Sequence, residues 1–303
     1  MKARHSGEMR ILLTGRDGQV GRELERSLLP LGEVTATGHD DLDLSSDYAI
    51  RDAVRDLRPH LIVNAAAYTA VDKAESEPDF ARRINAEAVA TLAAEAKIVG
   101  AALIHYSTDY VFDGRKATPY AEDDRTNPLN VYGKSKLGGE RALAAAGIPY
   151  LVLRTSWVYG GEGKNFLLTI LRLAAERKEL RIVDDQIGAP TWSRDIAKAT
   201  ASIAARWRKD EFAAAQSGVY HLTAAGKTSW HGFAYEAVRL RASTTKGKET
   251  KFARLVPVPS AEYPTPAERP LNSQLNCEKI ALEFDCRLPD WKTSAASVVR
   301  ALA

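Results

Sequence analysis

Residues 10–21 decide the fold of this chain and read Arg10-Ile11-Leu12-Leu13-Thr14-Gly15-Arg16-Asp17-Gly18-Gln19-Val20-Gly21. The apolar first half predicts a buried strand, and residues 20–29 have the apolar spacing of a helix. The glycines between them predict a tight turn, which lets the backbone approach a pyrophosphate at the positive end of that helix. A strand, a glycine turn and a helix in this order indicate a dinucleotide-binding unit.

The same alternation continues along the first half of the chain. Further strands are predicted at 32–37, 61–66, 101–106 and 150–153, with helices around 50–57, 80–99 and 137–146 between them. These strands are apolar throughout and do not alternate with polar residues, which is typical of a parallel sheet covered on both faces. The predicted fold class is therefore α/β, with a Rossmann-like doubly wound parallel sheet and a smaller C-terminal substrate-binding domain.

The alternation fades near Trp157, which suggests a domain boundary. We predict a dinucleotide-binding domain at 9–156, to which 194–224 returns through a strand near 218–222. Residues 157–193 and 225–303 are assigned to the substrate-binding domain. The five prolines of 255–270 exclude a helix or a central strand and predict an extended loop.

Composition excludes several classes of protein. Of 303 residues, 45% are hydrophobic and 27% charged, which is typical of a globular protein. Lys plus Arg number 42 and Asp plus Glu 39, so the net charge of +3 favours neither a nucleic-acid partner nor a membrane partner. No apolar run is long enough to span a membrane, and the two cysteines, Cys277 and Cys286, are no disulfide framework. We expect a cytoplasmic protein.

The sequence leaves the choice of dinucleotide open. An acidic residue about 20 positions after the glycine turn would bind a ribose 2′-hydroxyl, and Asp40, Asp41 and Asp43 are candidates. Arg16, within the turn, is a candidate for binding a 2′-phosphate instead, although a solvated loop cation would look the same.

A second group of residues points to acid catalysis. Tyr132 and Lys136 are four residues apart and share one face of a helix. A phenol with an ordinary pKa of about 10 must be shifted by about 3 units to work near neutral pH, and a nearby ammonium favours that shift. Ser107, Thr108 and Asp109 follow a predicted strand, at the edge where parallel sheets bind ligands. Thr108 can therefore contact the same substrate oxygen as Tyr132, although a turn cap is the simpler role for this threonine.

Together these motifs resemble the extended short-chain dehydrogenases/reductases, and longer blocks resemble the dTDP-4-dehydrorhamnose reductase family. The resemblance covers residues 10–291 and rests on these blocks: Ala67-Tyr68-Thr69-Ala70-Val71-Asp72-Lys73-Ala74-Glu75, His105-Tyr106-Ser107-Thr108-Asp109-Tyr110-Val111-Phe112, Asn127-Pro128-Leu129-Asn130-Val131-Tyr132-Gly133-Lys134, Arg154-Thr155-Ser156-Trp157-Val158-Tyr159, Asp185-Gln186-Ile187-Gly188-Ala189-Pro190-Thr191 and Tyr263-Pro264-Thr265-Pro266-Ala267-Glu268-Arg269-Pro270.

The resemblance implies the last step of dTDP-L-rhamnose synthesis, in which the C4 keto group of dTDP-4-dehydrorhamnose is reduced. It implies NADPH as cofactor, with NADH as an alternative, and a dTDP-sugar as substrate. Tyr132 would donate the proton, Lys136 would hold the nicotinamide ribose and lower the pKa of the tyrosine, and Thr108 would bind the carbonyl oxygen. Asp109 would bind the sugar, and Trp157, unless it is a core aromatic, would pack on the sugar nucleotide. The cofactor-binding set would be Gly15, Arg16, Gly18, Gln19, Val20, Gly21, Asp43, Leu44, Ala65, Ala67, Tyr68, Thr69, Tyr132 and Lys136.

One feature departs from the family. Some members are dimers bridged by magnesium on acidic side chains, and Glu23 suits one such ligand. Arg194 and Lys292, however, place cations near the positions expected for the others, and magnesium binds oxygen ligands. We therefore predict no bridging metal, and either a monomer or a dimer that no metal bridges.

Two other functions are compatible with this fold. A nucleotide-sugar epimerase or dehydratase would retain its NAD tightly and should co-purify with it. A non-catalytic regulatory subunit of the methionine adenosyltransferase type would not need the Thr108, Tyr132 and Lys136 set. The sequence does not reveal which polymer receives the rhamnose or what the first ten residues do.

Overall fold

A computed structural model describes residues 8–244 and 252–302, so most of the N-terminal ten residues lie outside the described part. The strands are β1 (Met9–Thr14), β2 (Gly32–Thr37), β3 (Leu61–Asn64), β4 (Ala102–Thr108), β5 (Tyr150–Thr155), β6 (Val158–Tyr159), β7 (Glu179–Val183), β8 (Ile187–Gly188), β9 (Thr191–Trp192), β10 (Gly218–His221), β11 (Thr228–Ser229) and β12 (Arg254–Val258). The helices are α1 (Gln19–Leu28), α2 (Asp47–Leu57), α3 (Val71–Ala74), α4 (Pro78–Arg82), α5 (Ala88–Val99), α6 (Val131–Ala146), α7 (Phe166–Glu176), α8 (Ser193–Lys209), α9 (Trp230–Thr244), α10 (Glu278–Phe284) and α11 (Trp291–Ala301).

The central sheet has six parallel strands in the order β10-β5-β4-β3-β1-β2. Strand order reverses at β1, which has β2 on one side and β3 on the other, and such a switch point is where doubly wound sheets bind ligands. This arrangement confirms the predicted fold class. β10 pairs with β5, so the late strand expected near 218–222 does return to the main sheet.

Each face of the sheet has its own apolar core because successive strand residues point to opposite sides. Ile11 and Leu13 pack on one face among α1 and α8, with Trp207 fully buried there. Leu12 packs on the other face, where α2, α5 and α6 contribute apolar side chains such as Leu92. Strands buried on both faces explain the continuous apolar runs in the sequence.

A second, smaller part of the chain packs α7, α9 and α11 around Tyr159, Phe233 and Trp291. Within the described residues it also carries three two-stranded sheets, formed by β8 with β11, β7 with β12, and β6 with β9. This part lies beside the carboxyl ends of the central strands, since β6 follows directly from β5.

Three sequence predictions need correction. The helix expected at 80–99 is divided into α4, a π-helical stretch at Arg83–Glu87, and α5. α6 begins at Val131, six residues before the expected 137, and so includes Tyr132 and Lys136. The loop predicted for the proline-rich segment is wrong at Arg254–Val258, which forms β12. Pro257 is tolerated because both strands of a two-stranded sheet are edge strands.

Candidate active site

A large open cleft of about 1490 Å³ lies along the carboxyl ends of β1, β3, β4 and β5. The glycine turn lies at one end and the aromatic residues of the smaller part at the other. Most of the residues that the sequence singled out line this cleft, and they are Gly15, Gly18, Gln19, Val20, Leu44, Ala65, Ala67, Tyr68, Thr69, Thr108, Asp109, Tyr132, Lys136 and Trp157. Arg16, Gly21 and Asp43 do not line it.

The glycine turn has no room for side chains at two positions. Gly15 has a φ of +80°, and a Cβ there would lie 2.6 Å from the backbone N of Ala66. A Cβ on Gly21 would lie 1.9 Å from the carbonyl oxygen of Gly15. At the start of α1, no side chain caps the helix and no acidic residue occupies its first turn. Its backbone N–H groups therefore suit a pyrophosphate.

The far side of the turn carries the residues that could select the dinucleotide. Arg16 lies 2.9 Å from Asp41 and donates a hydrogen bond to the carbonyl of Ala36 at 3.2 Å. The Asp43 carboxylate instead accepts from the backbone and hydroxyl of Ser45, both at 2.8 Å, and this backbone hydrogen bond lowers the pKa of Asp43. His39 also lines the cleft here and was not predicted from the sequence. The one signal for its position in the cleft is that it follows β2 closely in the sequence.

α6 positions Tyr132 and Lys136. Asn130 caps the helix, its side-chain oxygen accepting from the backbone N–H of Gly133 at 2.8 Å. Lys136 is buried and donates to the carbonyl of Tyr106 at 2.6 Å, and burial lowers the pKa of Lys136 to about 7. Burial also raises the pKa of Tyr132, with Thr108 opposing that shift. In the chain without cofactor, burial thus disfavours the phenolate, and the lowering of the tyrosine pKa expected from Lys136 and the bound cofactor stays a prediction.

Thr108 and Asp109 lie at the carboxyl end of β4. The Thr108 hydroxyl accepts from the backbone N–H of Tyr110 at 3.2 Å, as a turn cap would, and donates to Asp109 at 3.1 Å. One oxygen of Asp109, Oδ2, is buried and makes no hydrogen bond within the described residues. Burial raises the pKa of Asp109 to about 6. A buried oxygen without a partner in a cleft suits a ligand hydroxyl.

Trp157 lies on the wall of the cleft, in contact with other aromatic residues. Its ring stacks on Trp230 with centroids 3.6 Å apart and planes 10° apart, and Phe166 lies 4.6 Å from Trp230. The φ of Trp157 is +49°, a left-handed conformation that costs a residue with a Cβ about 1–2 kcal/mol. Trp230 and Phe166 were missed in the sequence because they lie on two helices, α9 and α7, outside the block that contains Trp157.

An ion pair connects residues 67–75, some of which line the cleft, to the proline-rich segment 263–270. Arg269, in the proline-rich segment, lies 2.8 Å from Asp72 on α3. The Asp72 carboxylate also accepts from the backbone of Ala267 at 3.2 Å, so it holds this segment at two points. The hydrogen bond from Arg269 lowers the pKa of Asp72.

The side chains around Glu23 do not fit a magnesium ion. Arg194 lies 3.0 Å from the Glu23 carboxylate, and it also lies over the ring of Trp192. Lys292 lies over the ring of Trp291. Within residues 8–244 and 252–302, no group of three or more His, Cys, Asp or Glu side chains could hold a metal ion. A guanidinium paired with Glu23 competes with a cation for the same oxygens.

The doubly wound sheet, the glycine turn and the Thr108, Tyr132 and Lys136 set place this chain among the extended short-chain dehydrogenases/reductases. The family model described as "RmlD substrate binding domain" matches residues 9–303. The chain belongs to the dTDP-4-dehydrorhamnose reductase family.

Three similar proteins illustrate this relationship. The chain is 50% identical over 295 residues to a dTDP-4-dehydrorhamnose reductase of Burkholderia thailandensis, covering 97% of this chain and 99% of the relative. A crystal structure of a Clostridium acetobutylicum dTDP-4-dehydrorhamnose reductase is 37% identical, with a TM-score of 0.88 and coverage of 97% and 99%. A structure of the Bacillus anthracis reductase in complex with NADP is 32% identical, with a TM-score of 0.86 and the same coverage.

Proposed function

We propose that this chain reduces the C4 keto group of dTDP-4-dehydrorhamnose to dTDP-L-rhamnose, using NADPH. The observation that carries the proposal is the position of Thr108, Tyr132 and Lys136 in the same cleft as the glycine turn and the start of α1, which no side chain caps. The relatives named above are reductases, and one of them is in complex with NADP. When bound, NADPH supplies the hydride.

The protein's own part of the reaction is proton donation. Burial keeps Tyr132 protonated, so its hydroxyl is in the form that can donate to the alkoxide oxygen. The Thr108 hydroxyl holds the substrate oxygen beside it. Lys136 binds the ribose of the cofactor, and its positive charge favours the phenolate that the donation leaves behind. General acid catalysis of this kind contributes about 10²–10⁴-fold.

Two groups are proposed to bind the sugar nucleotide. The free Oδ2 of Asp109 accepts from a sugar hydroxyl. Trp157, which Trp230 supports from behind, packs on the sugar nucleotide, and the strained backbone at Trp157 reflects the fixed direction of its ring.

We extend the proposal to the organisation of the chain. Residues 9–156 with 194–224 form the cofactor domain, and 157–193 with 225–303 form the substrate domain. The chain is a monomer or a dimer without bridging metal, a proposal that the Arg194–Glu23 pair supports. Analytical ultracentrifugation with and without EDTA tests it, since a dimer that dissociates with the chelator would contradict it. No described helix is long and apolar enough to cross a membrane. A cytoplasmic location stays a prediction.

The proposed reaction is tested by following the absorbance of NADPH, and separately of NADH, with the dTDP-4-keto-6-deoxy-L-sugar. We expect oxidation of NADPH matched mole for mole by dTDP-L-rhamnose. Oxidation without that product would contradict the substrate assignment. If neither cofactor is oxidised by a protein that binds dinucleotide, the reductase assignment is wrong. NAD retained through purification would then favour an epimerase or dehydratase.

A further inference from the structure

A line of buried polar side chains crosses three neighbouring strands beneath the cleft. Thr14 on β1, Asn64 on β3 and His105 on β4 are successive register partners, and none is more than 1% exposed. The Thr14 hydroxyl donates to Asn64 Oδ1 at 2.7 Å, and Asn64 Nδ2 lies 3.1 Å from His105 Nδ1. His105 Nε2 lies 3.1 Å from Lys136 Nζ, so the line ends on the lysine of the active site.

The orientation of the Asn64 amide fixes the tautomer of His105. The backbone N–H of Ala66 can only donate, and it lies 3.2 Å from Asn64 Oδ1, which must therefore be the oxygen. The NH₂ group of Asn64 then faces His105 Nδ1, and this ring nitrogen accepts and carries no proton. The proton of the neutral imidazole is left on Nε2, where it points at Lys136.

We propose that His105 is a positioning residue that presents its Nε2–H to Lys136 and thereby holds the lysine as a neutral amine in the cofactor-free enzyme. An amine has a lone pair that accepts this hydrogen bond and still donates to the Tyr106 carbonyl at 2.6 Å. A lysine ammonium has no lone pair that can accept a hydrogen bond, so one of its own N–H bonds would point at the Nε2–H of His105. Lys136 is thus set to take up a proton when it leaves this position.

The charges around Lys136 agree with this assignment. Burial lowers its pKa to about 7, and Glu140, one turn further along α6, opposes the shift. Arg154 on β5 pairs with Glu140 at 2.7 Å and offsets part of that negative charge. Burial lowers the pKa of His105, so the imidazole stays neutral. Tyr106, Asp109, Tyr110 and Tyr132 are titratable groups of β4, of the turn after it and of α6 that line the same cleft as Lys136.

The role of Lys136 in turnover rests on the proposed function. The tautomer of His105 and the charge of Lys136 in the cofactor-free enzyme are independent of that function. Both are therefore measured by NMR without substrate. Two-bond ¹⁵N–¹H spectra of ¹⁵N-histidine protein, with the signal of His105 assigned from His105→Gln, report the tautomer. We expect the Nε2–H form between about pH 6 and 9. An Nδ1–H form or an imidazolium would overturn the proposal. The tautomer is measured on the unmodified protein, and the variant serves only to assign the signal.

The second measurement follows Lys136 in protein labelled with ¹³C at lysine Cε, the signal being assigned with Lys136→Met. We expect its titration midpoint to lie at least about 2 pH units below those of exposed lysines. In Asn64→Asp the new side chain has the same shape, but its carboxylate can only accept hydrogen bonds, so His105 should take the Nδ1–H form. The titration midpoint of Lys136 should then rise by at least about 1 pH unit.

The added carboxylate also attracts an ammonium directly, and a matched pair removes that effect. The same Asn64→Asp change is made in a His105→Leu background, which has no imidazole to transmit it. A much smaller rise in that background supports the proposal. An equal rise in both backgrounds shows that His105 does not set the charge of Lys136.

Discussion

Arg154 on β5 holds the carboxylate of Glu140 on α6 with two hydrogen bonds, of 2.9 and 2.7 Å, and each side chain is only 4% exposed. Ser107 on β4 donates a third hydrogen bond to the same carboxylate. The pair therefore connects the helix that carries Tyr132 and Lys136 to β5, and Ser107 connects the same carboxylate to β4, the strand that ends at Thr108. Removal of one partner leaves a buried charge without compensation.

We predict that Glu140→Gln or Arg154→Met lowers the free energy of unfolding by about 3–5 kcal/mol. Arg172→Gln is the control, because Arg172 pairs with Glu176 on the exposed side of α7 and should cost at most about 0.5 kcal/mol. Urea unfolding, followed by circular dichroism, measures both. Equal losses in the buried and exposed variants would show that the buried pair contributes no more than a surface one.

The Rossmann-like sheet could be predicted, and the set proposed to be catalytic could be singled out, because their signals are local. The glycine turn follows its strand directly, and Tyr132 and Lys136 are one helical turn apart. The stack of Trp157 on Trp230 and the pairing of Asp72 with Arg269 join residues that are distant in sequence, so no spacing could reveal them. The strand at Arg254–Val258 was missed because proline content excludes a central strand but not an edge strand.

Tyr132→Phe should leave folding and NADPH binding nearly unchanged and lower kcat by about 10²–10⁴-fold, because only the donated proton is lost. Tyr235→Phe is the matched control, since Tyr235 is exposed on α9, and its kcat should stay at the level of the unmodified enzyme. Steady-state kinetics and fluorescence titration of NADPH measure the two effects. A kcat that survives in Tyr132→Phe would remove Tyr132 from the reaction.

Arg16 is predicted to favour NADPH over NADH. Arg16→Gln should lower the ratio of kcat/KM for NADPH to that for NADH by about 10–100-fold, the value of a charge-assisted hydrogen bond to phosphate. Asp41→Asn should raise the ratio, because Asp41 now pairs with Arg16 at 2.9 Å and competes with a phosphate. The test is that Arg16→Gln lowers this ratio of kcat/KM values whereas Asp41→Asn raises it. If both variants leave the ratio unchanged, this pair lies outside the 2′-phosphate site.

The stability of the protein should depend on the charge of Asp109. Burial raises its pKa from an ordinary 3.8 to about 6. Between these values the folded chain binds a proton that the unfolded chain does not, so the free energy of unfolding falls as pH rises. The contribution of Asp109 is fully present below pH about 4 and lost above about 6, and a shift of this size corresponds to about 3 kcal/mol.

Asp109→Asn removes this titration and keeps the shape of the side chain. The variant should therefore be more stable than the unmodified protein at pH 8, by up to about 3 kcal/mol, and the difference should shrink toward pH 4. Asp52→Asn, on the exposed side of α2, is the control for the loss of one surface carboxylate. Urea unfolding at a series of pH values measures the difference. If Asp109 also binds the sugar, Asp109→Asn gains this stability while its KM for the dTDP-sugar rises. A constant difference between pH 4 and 8 would show that Asp109 keeps its ordinary pKa in the folded protein.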